Sequence, residues 1–262
     1  MKHTINAIAY VIIFLGIQAA VGLIVKTVWQ LVTGSADITT PKMITTTVVF
    51  SLLSIAVFLL ARWAEVSPTW LRTRPWMTLG WSVVAALGFV IPSIWIQEQL
   101  PELPNLIEDE FGQIMADRWG YLAIGLLAPL AEEVVFRGAA LRSLLGWAEG
   151  RGEWGAWTAI AVSALLFAAA HLNPAQMPHA FIVGLLLGWM YWRTGSILPG
   201  MAYHWANNST AYVIYNLYPN PDIQLIDIFG GSQQRVMMAV GFSLLILLPA
   251  IYQLHLWMKR AD

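Results

Sequence analysis

The stretch Leu126-Leu127-Ala128-Pro129-Leu130-Ala131-Glu132-Glu133-Val134-Val135-Phe136-Arg137-Gly138 is as apolar as a membrane span, yet holds two adjacent carboxylates and an arginine. It lies inside a longer run, Trp119–Trp147, of more than spanning length. Each carboxylate placed in hydrocarbon costs roughly 2.5–3.5 kcal/mol on insertion scales. A chain that keeps two side by side has a use for them.

The same apolar character extends along the chain. Of 262 residues, 58% are hydrophobic and only 11% are charged. A soluble domain usually carries about 25% charged residues. An integral membrane protein is the reading. Further runs of spanning length lie near Ile5–Val25, Met43–Ala61, Met77–Ile96, Trp154–His171, Pro178–Trp192, Ile197–Tyr218 and Val236–Trp257. None alternates like a barrel strand, and an open strand cannot leave its backbone unpaired in lipid. The fold class is therefore an all-α polytopic membrane protein of about eight transmembrane helices. The first run lacks a clear cleavage pattern and reads as an uncleaved span. Residues 1–262 read as one integral membrane domain, with the motif-bearing core at about 119–218. The lipid bilayer is its medium.

Charge and cysteine content narrow the chemistry. Fourteen basic and fifteen acidic residues leave a net charge of −1, which argues against nucleic-acid binding. No cysteine is present, which removes disulfides, thiolate metal sites and cysteine nucleophiles. With the N-terminus inside, the inner side collects Lys2, Arg62, Arg72, Arg74, Arg142, Arg151, Arg193, Lys259 and Arg260. The outer side collects only Lys26, Lys42, Arg118 and Arg235, and most of the acids, Asp222 among them. The positive-inside rule then puts both termini in the cytoplasm. Trp147, Trp154, Trp157, Trp192 and Trp257 fall at inner ends, as an interfacial belt does.

Polar residues within the spans form clusters. Glu133 and Arg137 are four apart, share a helix face and can pair. Such a pair serves a structural clamp as readily as a site. Glu132 lies about 100° round the helix and points elsewhere, a free carboxylate suited to general acid–base work. His171 ends the run Ser163–Ala170, with Phe167 one turn earlier on its face. A lone histidine at a helix end is most often structural. His204 and Asn208 are four apart and face one way, as interhelical glue or as donors to an oxygen. His179 and Gln176, at the start of the sixth run, read as structural or surface residues. Counted from Trp147, Trp157 and Trp192, the residues Glu132, His171 and His204 lie about 18–22 Å deep, a common level.

Together, Glu132-Glu133-x-x-x-Arg137, Phe167-x-x-x-His171 and His204-x-x-x-Asn208 resemble the three motifs of the CPBP family, also called the Abi or type II CAAX prenyl protease family. The resemblance spans about 77 residues, Glu132 to Asn208, with the motifs in order and no departure at a motif position. It implies an eight-helix intramembrane endopeptidase acting on a membrane-associated protein or peptide. In such an enzyme Glu132 is the general base that activates water, assisted by His171. His204 and Asn208 polarise the scissile carbonyl and hold the oxyanion. Glu133 and Arg137 orient the site, supported by Phe167. A prokaryotic plasma membrane is the expected location.

No metal is required on this reading. The alternative is a zinc held by Glu132, His171 and His204. No His-Glu-x-x-His helix is present to favour it. Outside proteolysis, intramembrane Glu, His and Arg also mark proton-coupled transporters, although no inverted repeat accompanies them here. A non-enzymatic immunity or scaffold protein is the third class.

Overall fold

The computed structural model describes residues 2–66, 68–73, 75–220 and 223–259. Arg74, Asp222 and Arg260 of the charge inventory lie outside them. Among the described residues there is no strand. The long helices are α1 Lys2–Thr33, α2 Thr40–Leu60 and α3 Trp76–Glu98. Then come α4 Glu108–Ala116 and α5 Tyr121–Ala148. The remainder are α6 Gly152–Ala170, α7 Met177–Thr194, α8 Leu198–Leu217, the short α9 Leu225–Ile228 and α10 Gln233–Trp257.

Five of these, α1, α2, α3, α6 and α10, are long and apolar enough to cross a membrane. The α4–α5 pair, bent by 99°, makes a sixth if it is one broken span. The sequence expectation of about eight also counted the runs that became α7 and α8. They are 18 and 20 residues long, but His179, Arg193, His204, Asn207 and Asn208 dilute their apolar character. The polar segment Gln97–Arg118 contains a helix, α4, that hydropathy alone does not reveal.

Two apolar clusters organise the bundle. The first joins α1, α2, α5 and α6 around Phe14, Phe58, Phe136, Leu141, Ile160 and Phe167. The second joins α3, α7, α8 and α10 around Ala85, Leu187, Met190, Tyr203 and Ala250. Tight packing of α6 on α7 unites them. A Cβ placed on Gly184 would meet the Cα of Ala164 at 3.0 Å, and one on Gly188 would meet Ile160 Cγ2 at 2.8 Å. Gly184-x-x-x-Gly188 thus presents a smooth stripe, the usual means of close helix approach in lipid, where there is no hydrophobic drive between helices. Opposite faces carry Ile5, Ile12, Leu23, Phe242, Leu245 and Leu248 exposed, as a lipid-facing surface requires.

Helix α5 is not uniform. Wide π-type turns run over Tyr121–Leu127 and Glu133–Leu141, separated by an α-helical turn Ala128–Glu132. Pro129 supplies one local cause: it has no N–H for the carbonyl four residues back, and its ring crowds that carbonyl. Such bulges gather at functional sites. Here one ends five residues before Glu132 and the other begins at Glu133.

Candidate active site

The first cluster is held by a buried pair. Arg137 Nη1 donates to Glu133 Oε1 at 2.9 Å, with both side chains 1% exposed or less. The expected i,i+4 pairing is realised within a wide turn. Arg137 Nη2 reaches across to the Gly184 carbonyl oxygen at 3.4 Å. Its guanidinium carbon lies 4.4 Å from the centroid of the Phe167 ring. Charge, backbone dipole and aromatic face together offset the cost of burying this cation.

His204 connects the two carboxylates. Its Nδ1–H donates to Glu133 Oε1 at 3.2 Å, while Nε2 stands 3.5 Å from Glu132 Oε2. Glu132, expected to be free, therefore has His204 as a neighbour. Helical phase separates the two glutamates as predicted: Glu133 is wholly buried, whereas the Glu132 side chain is 21% exposed. Glu132 is the carboxylate that a water or substrate can reach.

Phe167 is the hub of the aromatic packing. The rings of His171, Phe136 and His204 stand edge-on to it, at 4.9, 5.1 and 5.8 Å between centroids. His171 caps the end of α6, where its Nδ1–H donates to the Phe167 carbonyl oxygen at 2.9 Å. In the neutral ring Nε2 is then the acceptor nitrogen. Immediately after it, Leu172 adopts a left-handed φ of 52°, which turns the chain back. Fully buried Asn173 fixes that turn. Its Oδ1 accepts from the Leu106 N–H at 2.9 Å, and its Nδ2 donates to Asn105 Oδ1 at 2.8 Å.

Asn208 lies one turn beyond His204 on α8. Its Nδ2 donates to the Ile124 carbonyl oxygen at 3.1 Å. The structure thus links Glu132, Glu133, Arg137, Phe167 and His204 by direct contact and joins His171 through Phe167. Neither His171 nor Asn208 hydrogen-bonds to Glu132 among the described residues.

For the zinc alternative, His204 offers Nε2 beside Glu132 while its Nδ1–H is on Glu133, as in many metal-ligating imidazoles. Among the described residues, no three of His, Asp and Glu gather closely enough to hold a metal ion.

The model of the family described as "Type II CAAX prenyl endopeptidase Rce1-like" matches residues 115–210, a span that contains every residue of the site. The chain belongs to the CPBP, or CAAX protease-like, family. It is also 30% identical over 158 residues to an uncharacterized 24.3 kDa protein of Escherichia coli, covering 57% of this chain and 70% of that protein. No solved structure matches it. Membership supports a CAAX-type intramembrane protease in general, acting on a membrane-associated protein or peptide, in an integral multi-pass protein.

Two further residues border this CPBP core. His179, assigned from the sequence to a structural or surface role, lies within electrostatic reach of His171 and His204. It stacks on Phe89 at 6.0 Å and receives a hydrogen bond from Asn207 Nδ2 at 3.4 Å. Asn207 itself is 8% exposed. The signal was present: four consecutive polar residues, Asn207 to Thr210, are more than glue needs.

Proposed function

We propose that this protein is an intramembrane endopeptidase in which Glu132 activates a water to hydrolyse a peptide bond of a membrane-associated protein or peptide. One observation carries the reading. Of two adjacent carboxylates, Glu133 is sealed and tied to Arg137, while Glu132 is partly open and beside His204. A base must be reachable by water; a support need not be. No serine or cysteine offers a competing nucleophile in a triad-like setting.

The roles follow from available atoms. Glu132 takes a proton from water as its oxygen attacks the carbonyl carbon. His171, whose Nε2 is free, assists that transfer and passes the proton toward the leaving amine. His204 and Asn208 take the roles the family resemblance implies, polarising the scissile carbonyl and holding the oxyanion, His204 by turning Nε2 from Glu132 to the oxygen. Glu133, Arg137 and Phe167 hold His204 in place. The reaction uses no metal. The core at about 119–218 carries the chemistry, in a prokaryotic plasma membrane with both termini cytoplasmic.

The test is a comparison of membrane proteomes from cells carrying wild-type protein and Glu132→Ala. The expected result is at least one membrane-associated protein whose C-terminal tail stays uncut in the variant. Cleavage of that protein by purified Glu132→Ala at the wild-type rate would sink the reading.

A further inference from the structure

A relay of side-chain amides runs beside the two histidines of the site. A carboxamide offers one acceptor oxygen and two N–H donors. Asn208 Oδ1 accepts from Asn207 Nδ2 at 3.3 Å, and Asn208 Nδ2 donates to the Ile124 carbonyl oxygen at 3.1 Å. The same Asn207 nitrogen donates its other proton to His179 Nε2 at 3.4 Å. An amide nitrogen can only donate, so Nε2 of His179 is its unprotonated nitrogen. The imidazole is in turn held by its stack on Phe89, with planes 27° apart.

This relay has one direction. Turning the Asn208 amide over would set its NH2 against the NH2 of Asn207 and its oxygen against the Ile124 carbonyl. Two donors would then face each other, and so would two acceptors. Turning Asn207 over instead would remove the donor that Asn208 Oδ1 accepts from. Asn208 Oδ1 demands an N–H at that position, and His179 Nε2 takes the second N–H of the same amide. In the arrangement present, one N–H of Asn208 bonds to Ile124 and the second is uncommitted.

We propose that His179 and Asn207 are positioning residues that lock the Asn208 carboxamide with its uncommitted N–H available to the developing oxyanion. The proposal rests on the reading of Asn208 as an oxyanion donor. His179 and Asn207 touch neither water nor substrate in this scheme; they act through Asn208.

The test uses purified full-length protein in lipid nanodiscs, with a quenched fluorescent farnesylated peptide ending in a Cys-aliphatic-aliphatic-X tail as the probe. His179→Phe keeps the stack and removes the acceptor. Asn207→Asp removes the donors and sets a carboxylate against Asn208 Oδ1. Both are expected to lower kcat about 100-fold, the usual loss for one oxyanion donor, with KM within threefold of wild type. His179→Gln, whose amide oxygen can accept from Asn207, is expected to recover kcat to within tenfold. Wild-type kcat in both His179→Phe and Asn207→Asp overturns the proposal. So does His179→Gln as slow as His179→Phe with melting unchanged.

A second readout needs no turnover. In protein labelled with 15N-asparagine, the Asn208 side-chain amide pair is identified by its loss in Asn208→Asp. His179→Phe and Asn207→Asp are expected to shift that pair and speed its solvent exchange, and His179→Gln to leave it as in wild type. An unmoved pair overturns the positioning claim even if Glu132→Gln abolishes cleavage. A moved pair sustains it even if the wild type leaves this peptide uncut, in which case only the protease reading is at issue.

Discussion

Gly200 of α8 makes the room that the buried carboxylate of Glu133 occupies. A Cβ built at position 200 would stand 2.5 Å from Glu133 Oε2 and 3.5 Å from Leu187 Cδ2. The carboxylate cannot step aside freely, because Oε1 is held by Arg137 and His204. Gly200→Ala is therefore expected to push Glu133 off both partners. Overpacking of a filled site costs about 1–3 kcal/mol. The variant should melt earlier in detergent and lose at least tenfold in cleavage rate. Wild-type melting and rate together would show that Glu133 has slack the geometry denies.

Glu132 should behave in the opposite way. Its side chain is partly open and, among the described residues, bonds to no backbone group, so Glu132→Gln is expected to leave the fold intact. The amide cannot take a proton from water, and general acid–base groups contribute roughly 100- to 10,000-fold. The expected result is unchanged thermal melting with cleavage reduced by at least that lower figure. A melting temperature that falls with the rate would mark Glu132 as a structural partner of His204 instead.

Why Glu132 and Glu133 could be told apart in the sequence is simple geometry. The 100° step between neighbours and the i,i+4 alignment of Glu133 with Arg137 are properties of an α-helix. The pairing formed even though Glu133–Leu141 is wound in wider turns. The all-α membrane fold was legible for a similar reason, since lipid leaves few other backbone solutions. What the sequence left open depends on contacts between distant segments. The link from His204 to both carboxylates joins residues 71 and 72 positions apart, and no local period encodes it. The same holds for His179, which looked peripheral until α3 and α8 brought Phe89 and Asn207 against it. Polar residues lower the mean hydropathy of α7 and α8, runs that the sequence reading nonetheless counted as spans. In this chain the candidate site residues are what blur the membrane pattern.

Metal removal offers a separate check. Among the described residues, no three of His, Asp and Glu converge on one point. Purified protein dialysed against a strong chelator is expected to keep its cleavage rate within twofold. Loss of activity that added zinc restores would place a zinc between His204 Nε2 and Glu132 and would overturn the metal-free mechanism.

The buried pair of Glu133 and Arg137 makes the sharpest stability prediction. Removing one partner leaves the other charge buried without its counter-ion, which costs about 3–5 kcal/mol. Arg137→Leu does this to Glu133 and also removes the cation from the Phe167 face. Removing both charges takes away the attraction and the desolvation cost together, so Glu133→Leu/Arg137→Leu should recover at least half of the melting loss of Arg137→Leu alone. Cleavage should not recover, because His204 Nδ1 would have no acceptor left to orient it. Arg137→Lys separates charge from shape. It keeps a cation near Glu133 but cannot span Glu133 and the Gly184 carbonyl with a planar fork. Its melting should fall between wild type and Arg137→Leu. If the double variant melts as early as Arg137→Leu, the pair contributes through packing of its side chains and not through matched charge.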